Sequence, residues 1–541
     1  MAENTTEFDD LPENVQDFIK AVVKKIRYRK KVRADVFQEL VTHFVDELAD
    51  IADAEQRQQA SDKIIAEFGE PKILGKLIRR GKKRCRPLWK KVLIAGFQVS
   101  CILVLLIGLR ASTFYIGKPV VKINYAKWLT EKASAGKDPK LNAKLDIDRA
   151  IELLDSDSAK LDLEIFNLWP GDMNEAQLQA GQKYLADNAE SIQILREAAN
   201  KPYFWIDYNN PQFVQISLYE ALFLDEPKAQ NDLIEVMVNW RKLVYMMDFN
   251  IRFEVYNGEI DQAIDDCFSV LKIARFCQGE AFFIEQLVGI AIEGAFNGMI
   301  KNILNRVEIS ESQLLAIQTN YKKIVKENER VIDFTGEKVV RLDEIQRGFT
   351  DDGKGDGRVL AKGLRFIAKD QSSFFKGFLL GGYPGKKETI DEVEKFFNQA
   401  DNFFEQTAFE QNKQQLKFKG NFFIWNGSVD FERTSLLCWR FRSDRLALAA
   451  ILAIKIYQKE KGQMPASLQQ LVELGYLDSL PMDPFSDGAL GYKITQDDFV
   501  LYSVGKDFQD DGGKVEYSDS GKVNQWKGGD YIFWPTRKKV E

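Results

Sequence analysis

One stretch limits what this chain can fold into more than any other. From Val92 to Leu109 it reads VLIAGFQVSCILVLLIGL, eighteen residues without a charge. At helical rise that is about 27 Å, close to the hydrocarbon thickness of a bilayer. Trp89 and Tyr115 flank it where amphipathic rings favour the headgroup layer. A core helix is rarely apolar on every face, and a secretory signal would not lie so deep without a small-residue cleavage site. Two other apolar stretches fail as spans: residues 281–300 carry Glu285 and Glu293, and Leu446–Ile454 is too short. The sequence therefore predicts one transmembrane helix, at 92–114.

Charge orients it. Lys76, Arg79, Arg80, Lys82, Lys83, Arg84, Arg86, Lys90 and Lys91 approach the span with no acidic residue among them, whereas Arg110 and scattered lysines follow it. The positive-inside rule puts the N-terminus in the cytoplasm. The basic run also suits contact with anionic lipid, and no recognition motif accompanies it, so no nucleic-acid partner is expected. The whole excess behind the net charge of −6 lies beyond the span.

Within 11–80 the apolar positions recur at helical spacing. Val15, Phe18, Ile19, Val22, Val23 and Ile26 form one stripe, and Val36, Phe37, Leu40, Val41, Phe44, Leu48 and Ile51 another. A third helix, around Ile64, Ile65 and Phe68, stops at Gly69 with Pro71 beyond. The segments ELVTHFVDELAD (39–50) and ASDKIIAEFGEPKILGKLI (60–78) resemble the permease-prefix, or HAAS-type, helical signalling domain. That resemblance implies a cytoplasmic interaction module joined to membrane proteins, often linked to transcriptional control. His43, at the edge of the second stripe, reads as a packing or capping side chain.

His43 is also the only histidine. Beyond the span there is no imidazole, which excludes Ser-His-Asp and Cys-His catalysis and His-containing zinc sites there. Cys85, Cys101, Cys267, Cys277 and Cys438 form neither metal spacing nor a disulfide framework. Cys267 and Cys277 would stand about 15 Å apart on one helix. Cys438 is left to pair with either, or all remain buried thiols. No enzyme is expected; a carboxylate-based hydrolase is the alternative. No small-molecule substrate is indicated.

Residues 115–348 read as an irregular, tetratricopeptide-like helical array. Leu233, Val236, Met237, Trp240, Leu243, Val244 and Met247 line one helix; Gly258, Ala263 and Ile264 then fit a turn, a small contact and a core position. Gly289, Ala291, Gly294, Ala295 and Gly298 would permit close backbone approach. Residues 349–433 read as linker and mixed helix. Their TDDGKGDG stretch lacks the alternating ligands and closing Glu of a calcium loop, and reads as flexible. An apolar patch around Phe374, Phe375 and Phe378 reads as core filler or as a partner- or membrane-touching loop.

At 434–541 a helix with Leu446, Leu448, Ala449, Leu452, Ile456 and Tyr457 precedes Gly462, Pro465, Leu468, Leu471, Pro481, Asp483, Pro484, Tyr492, Ser503, Gly505, Asp507, Asp530 and Trp534. In that order these residues resemble the globular part of a type II secretion major pseudopilin. The resemblance implies a small α+β domain, with a final loop that holds Ca²⁺ through Asp507, Asp530 and nearby Asp511. Asp-Gly clusters also simply make turns. A pseudopilin starts with its hydrophobic helix, whereas here the span lies more than 300 residues upstream; pilus assembly is not expected.

The expected architecture is thus multidomain and mainly α. It comprises a cytoplasmic helical bundle (1–80), a basic juxtamembrane segment (81–91), the span (92–114), the helical array (115–348), the linker region (349–433) and a pseudopilin-like α+β domain (434–541). The functional expectation is a single-pass interaction or scaffold protein in a bacterial cytoplasmic membrane, its C-terminal region outside, with protein partners on either side. The alternative is a signalling protein that couples outer binding to the cytoplasmic module.

Overall fold

The computed structural model describes residues 7–84, 88–154, 163–209, 227–326, 332–367, 377–378, 382–416, 418, 430–496, 498–517, 523 and 529–536. The chain is mainly helical with a small three-stranded sheet near its C-terminus. It divides into two compact units, Met1–Thr113 and Phe114–Glu541. The boundaries expected at 348 and 433 fall inside the second.

In the first unit, α1 (Glu13–Lys25), α2 (Lys30–Leu48), α3 (Ala54–Phe68) and α4 (Pro71–Arg84) build one core. Val15, Phe18, Ile19 and Val22 of α1 meet Leu40, Val41, Phe44 and Leu48 of α2, and the Phe68 ring lies against Phe18 and Phe44. Asp53 caps α3 by accepting from the Gln56 N–H. The helix ends at Gly69, whose φ of +73° is a conformation glycine adopts without strain. Because α4 runs to Arg84, the basic run begins inside this bundle rather than after it. His43 is exposed, its ring edge-on to Phe68 at 5.3 Å. Next comes α5 (Leu88–Thr113).

The second unit begins with α6 (Tyr125–Ser134), α7 (Lys144–Leu153), α8 (Leu163–Asn167), α9 (Glu175–Asp187) and α10 (Ala189–Ala199). It continues through α11 (Pro227–Asn257), α12 (Ile260–Gln278), α13 (Phe283–Arg306), α14 (Glu311–Ile324) and α15 (Thr335–Gly348). Leu233, Val236 and Met237 lie outside the residues whose side chains are described; Trp240, Leu243, Val244 and Met247 are buried. Gly258 turns α11 into α12 with φ +84°. α12 and α13 approach most closely at Gly289, where a Cβ would meet the Ala274 carbonyl oxygen at 2.7 Å. The other small residues expected to permit such contact do not all do so: Gly294 and Gly298 face nothing within 4 Å among the described residues.

The remaining helices are α16 (Ala361–Ile367), α17 (Lys386–Glu405), α18 (Ala408–Lys413), α19 (Phe431–Lys461) and α20 (Leu468–Glu473). Helix α19 joins three cores. Leu448, Leu452 and Ile456 pack with α11–α14, Cys438 and Phe441 enter a phenylalanine-rich core with Phe334, Phe396 and Phe397, and Ile451 and Ile454 cover the sheet. Buried nearly all round, it binds the C-terminal module to the helical region, because each face removes apolar surface from water against a different neighbour. The strands β1 (Gly491–Ile494), β2 (Phe499–Ser503) and β3 (Tyr531–Trp534) are antiparallel in the order β1-β2-β3. Phe499 and Leu501 face α19 while Val500 and Tyr502 pack with Ile532 on the other side.

Among the described residues, two helices are long and apolar enough to cross a membrane. In Val92–Thr113 none of the most apolar window is buried, whereas in Phe283–Arg306 56% of it is. Phe374 and Phe375 of the apolar patch lie outside the described residues; Phe378 stacks on Phe114. Cys267, Cys277 and Cys438 are buried free thiols.

Candidate functional site

The acidic turn near the C-terminus forms where β2 runs out into a short 3₁₀ turn, Gly505–Asp507, and the chain returns as β3. Phe508, Gly512 and Gly513 all have positive φ, which folds the turn back on itself. Asp530 closes it: Oδ1 accepts the Asp511 N–H at 3.2 Å and Oδ2 the Gly513 N–H at 2.6 Å. Tyr502 donates to Asp510 Oδ1 at 3.1 Å. At Gly529 a Cβ would lie 2.2 Å from Asp511 Oδ2 and 2.5 Å from Asp507 Oδ2, so these two oxygens share one small space that only glycine leaves open.

Of the three expected calcium ligands, the structure thus brings Asp507 and Asp511 together. It uses Asp530 on backbone N–H groups. Two carboxylate oxygens in one space suit a hard cation, yet among the described residues no group of three or more ligating side chains is arranged to hold a metal.

The other glycine-rich acidic stretch is a pinned loop rather than a linker. A bridge joins Phe349 to Val359, and Asp352 accepts the N–H groups of Lys354 and Asp356. Asp351 holds the Lys386 ammonium at 2.9 Å and that of Lys122 at 3.0 Å. These ammoniums hold its carboxyl well below the usual carboxylate range. The Asp351 carboxylate is thus committed to two ammonium groups.

A third arrangement escaped the sequence reading. Where α12 ends and α13 begins, the chain turns a sharp corner at 279–283. Glu280 enters from the corner, Glu285 from the first turn of α13, Tyr208 from the extended segment 203–208, and Glu337 from α15. The Tyr208 hydroxyl oxygen lies 2.8 Å from Glu280 Oε2 and 3.0 Å from Glu285 Oε2, and it accepts the Ala281 N–H at 3.2 Å. Glu285 Oε2 accepts the Phe282 N–H at 3.0 Å, and Glu337 Oε1 accepts the Phe283 N–H at 2.7 Å. Helix α15 is pressed onto this corner: a Cβ at Gly336 would fall 2.2 Å from the Ala281 carbonyl oxygen.

Among the described residues no Lys or Arg pairs with Glu280, Glu285 or Glu337. Burial pushes the Glu280 carboxyl well up, reinforced by the charge of Glu285, and burial also raises Glu285. Burial pushes Glu337 up to about 8. Glu254 and Asp266 make the contrast: they are also buried, but Arg196 holds both, at 2.7 Å each. Converging carboxylates were expected only of the hydrolase alternative. Here Glu280, Tyr208 and Glu337 are buried and Glu285 only partly exposed. The available signal was Glu285 itself, a charged residue in an apolar run and three positions after Phe282, the place from which a carboxylate caps a helix N-terminus. Its partner Tyr208 lies 77 residues away, beyond any local pattern. No family model, curated protein or solved structure matches the chain.

Proposed function

We propose that this chain is a membrane-anchored interaction protein that crosses the bilayer once, at Val92–Thr113. The observation that carries the reading is the contrast between its two apolar helices. None of the apolar window of α5 is buried, while α13 lies 56% buried and carries Glu293 ion-paired to Arg445 inside the protein. An uncovered apolar helix needs lipid, and a helix with a satisfied internal charge does not. The basic residues before α5 support a cytoplasmic first unit and an outer second unit, in a bacterial cytoplasmic membrane. The helical second unit, its irregular array continuous with α19 and a pseudopilin-like end, supports binding of protein partners over a broad surface rather than filament growth.

The test is side-selective labelling in intact cells. Asp50→Cys and Ala176→Cys place thiols on exposed positions of the two units. A membrane-impermeant maleimide should reach Ala176→Cys directly and Asp50→Cys only after permeabilisation. The reverse pattern, or labelling of both, overturns the topology.

Signalling by the HAAS-like module is a second reading, favoured by the independent core of Met1–Thr113. A cytoplasmic protein crosslinked to residues 11–80 in cells, with a yield that follows outer-unit occupancy, would support it; a constant yield would favour plain anchoring. The calcium reading of the acidic turn is supported by the space that Asp507 and Asp511 share, with Asp530 as the residue that shapes the turn.

A further inference from the structure

The corner at 279–286 holds a proton count that its geometry does not balance with ionised carboxyls. The Tyr208 hydroxyl has one hydrogen and two lone pairs. One lone pair takes the Ala281 N–H. Two carboxyl oxygens then lie at 2.8 and 3.0 Å, both hydrogen-bond distances. If Glu280 and Glu285 were both anions, the single hydrogen would satisfy one contact and leave the other as lone pair against lone pair. If one carboxyl keeps its proton, every group is satisfied: that carboxyl donates to the tyrosine oxygen, and the tyrosine donates to the other.

The surroundings say which one keeps it. Each carboxyl accepts a backbone N–H, Glu285 that of Phe282 and Glu280 that of Ile206, but Glu285 alone sits in the first turn of α13, where the helix dipole favours a negative charge. Glu285 is also the partly exposed member of the pair, and Glu280 is 7% exposed. We propose that Glu280 is a protonated acid that donates to Tyr208, which donates to the Glu285 carboxylate, and that this chain latches residues 203–208 onto the corner and opens when the proton is lost.

Groups from every packed element act on it. Glu337 of α15, with Asp333 beside it, adds negative charge, and the buried Cys277 thiol faces the same pair. Lys137 and Lys144, from the start of the unit, act more weakly in the opposite sense. The second oxygen of Glu337 is buried with no hydrogen-bond partner among the described residues, so the pocket has no spare donor to compensate a second anion. Two like charges bridged by one hydroxyl in a low dielectric repel strongly, and the hydroxyl of Tyr208, at the end of the segment 203–208, is the tie between them that gives way.

The test is amide hydrogen exchange on the full chain in lipid nanodiscs, corrected for intrinsic rates, from about pH 5.5 to about pH 8.5, upward from the ordinary carboxylate range. In the wild type, peptides covering 203–209 and 279–286 should exchange on the order of tenfold faster at the upper end, the response to one pKa unit of linkage. Glu280→Gln supplies a permanent N–H donor to the tyrosine oxygen and should stay protected throughout. Tyr208→Phe removes the bridge and should exchange fast throughout. A pH-independent wild type overturns the proposal, as does a Glu280→Gln protein that retains the wild-type profile. If Glu280→Gln exchanges fast everywhere, the residue is structural and the latch is refuted.

Discussion

Arg445 of α19 grips Glu293 of α13 side-on, Nε to Oε1 at 2.6 Å and Nη2 to Oε2 at 2.7 Å. Gln278 of α12 completes the contact, donating to Glu293 Oε2 at 2.7 Å and accepting from Arg445 at 3.1 Å. Both charged side chains are almost fully enclosed, at 4% and 0% exposure. Removing the cation alone leaves a buried carboxylate uncompensated. Arg445→Met should therefore lower unfolding free energy by about 3–5 kcal/mol, read from the denaturant midpoint of the second unit's transition. The double variant Glu293→Met/Arg445→Met should recover most of the loss. A double variant as unstable as the single one would mean that the pair contributes through packing alone.

Gly289 makes a contact that no other residue type allows. Gly289→Ala drives a methyl group into the Ala274 carbonyl oxygen and the Gln278 backbone, and should cost about 1–3 kcal/mol. Gly294→Ala, five residues on in the same helix, should be neutral or stabilising by up to about 1 kcal/mol, because glycine is costly in a helix interior and nothing described stands in the way. Thermal shifts of opposite sign would check the pair together.

Glu337 makes stability depend on pH. Its carboxyl titrates near 4.5 in an unfolded chain and is pushed up to about 8 by burial. Between those values the folded state binds the extra proton, so the slope of stability with pH is negative there. The stabilisation is complete below about 4.5 and lost as pH rises through about 8. The second unit should thus unfold at lower denaturant at the top of this window than at its foot, and Glu337→Gln should flatten the profile. A stability that rises with pH through the window would contradict the assignment.

The acidic turn separates two roles. Asp530→Ala leaves the N–H groups of Asp511 and Gly513 without their acceptor, and should destabilise the full chain by about 1–3 kcal/mol with or without calcium. Asp507→Asn should instead remove whatever stabilisation millimolar calcium brings while leaving the calcium-free protein near wild type. No melting shift with calcium in the wild type would end the calcium reading.

The helices and their ends were legible in the residues, because these follow from local pattern: the apolar stripes around Phe18 and Phe44, the Gly69–Pro71 stop and the uninterrupted run from Val92. The turn at Gly258 was legible for the same reason, whereas the small α+β end of the chain was only what the pseudopilin resemblance implied. Glu285 and Glu293 were visible too, as charges too costly for a bilayer, but a sequence cannot say what neutralises a charge. That depends on which distant side chains arrive beside it. Arg445 comes from 152 positions away and Tyr208 from 77. Tertiary packing alone decided that one acid would meet an arginine and the other a tyrosine and a second acid. It also decided that α19, with a different core against each face, would join the expected array, linker and terminal module into one unit. The physical reason is range: periodicity and capping act within a few residues of chain, whereas burial and charge compensation are settled by whichever surfaces fold against one another.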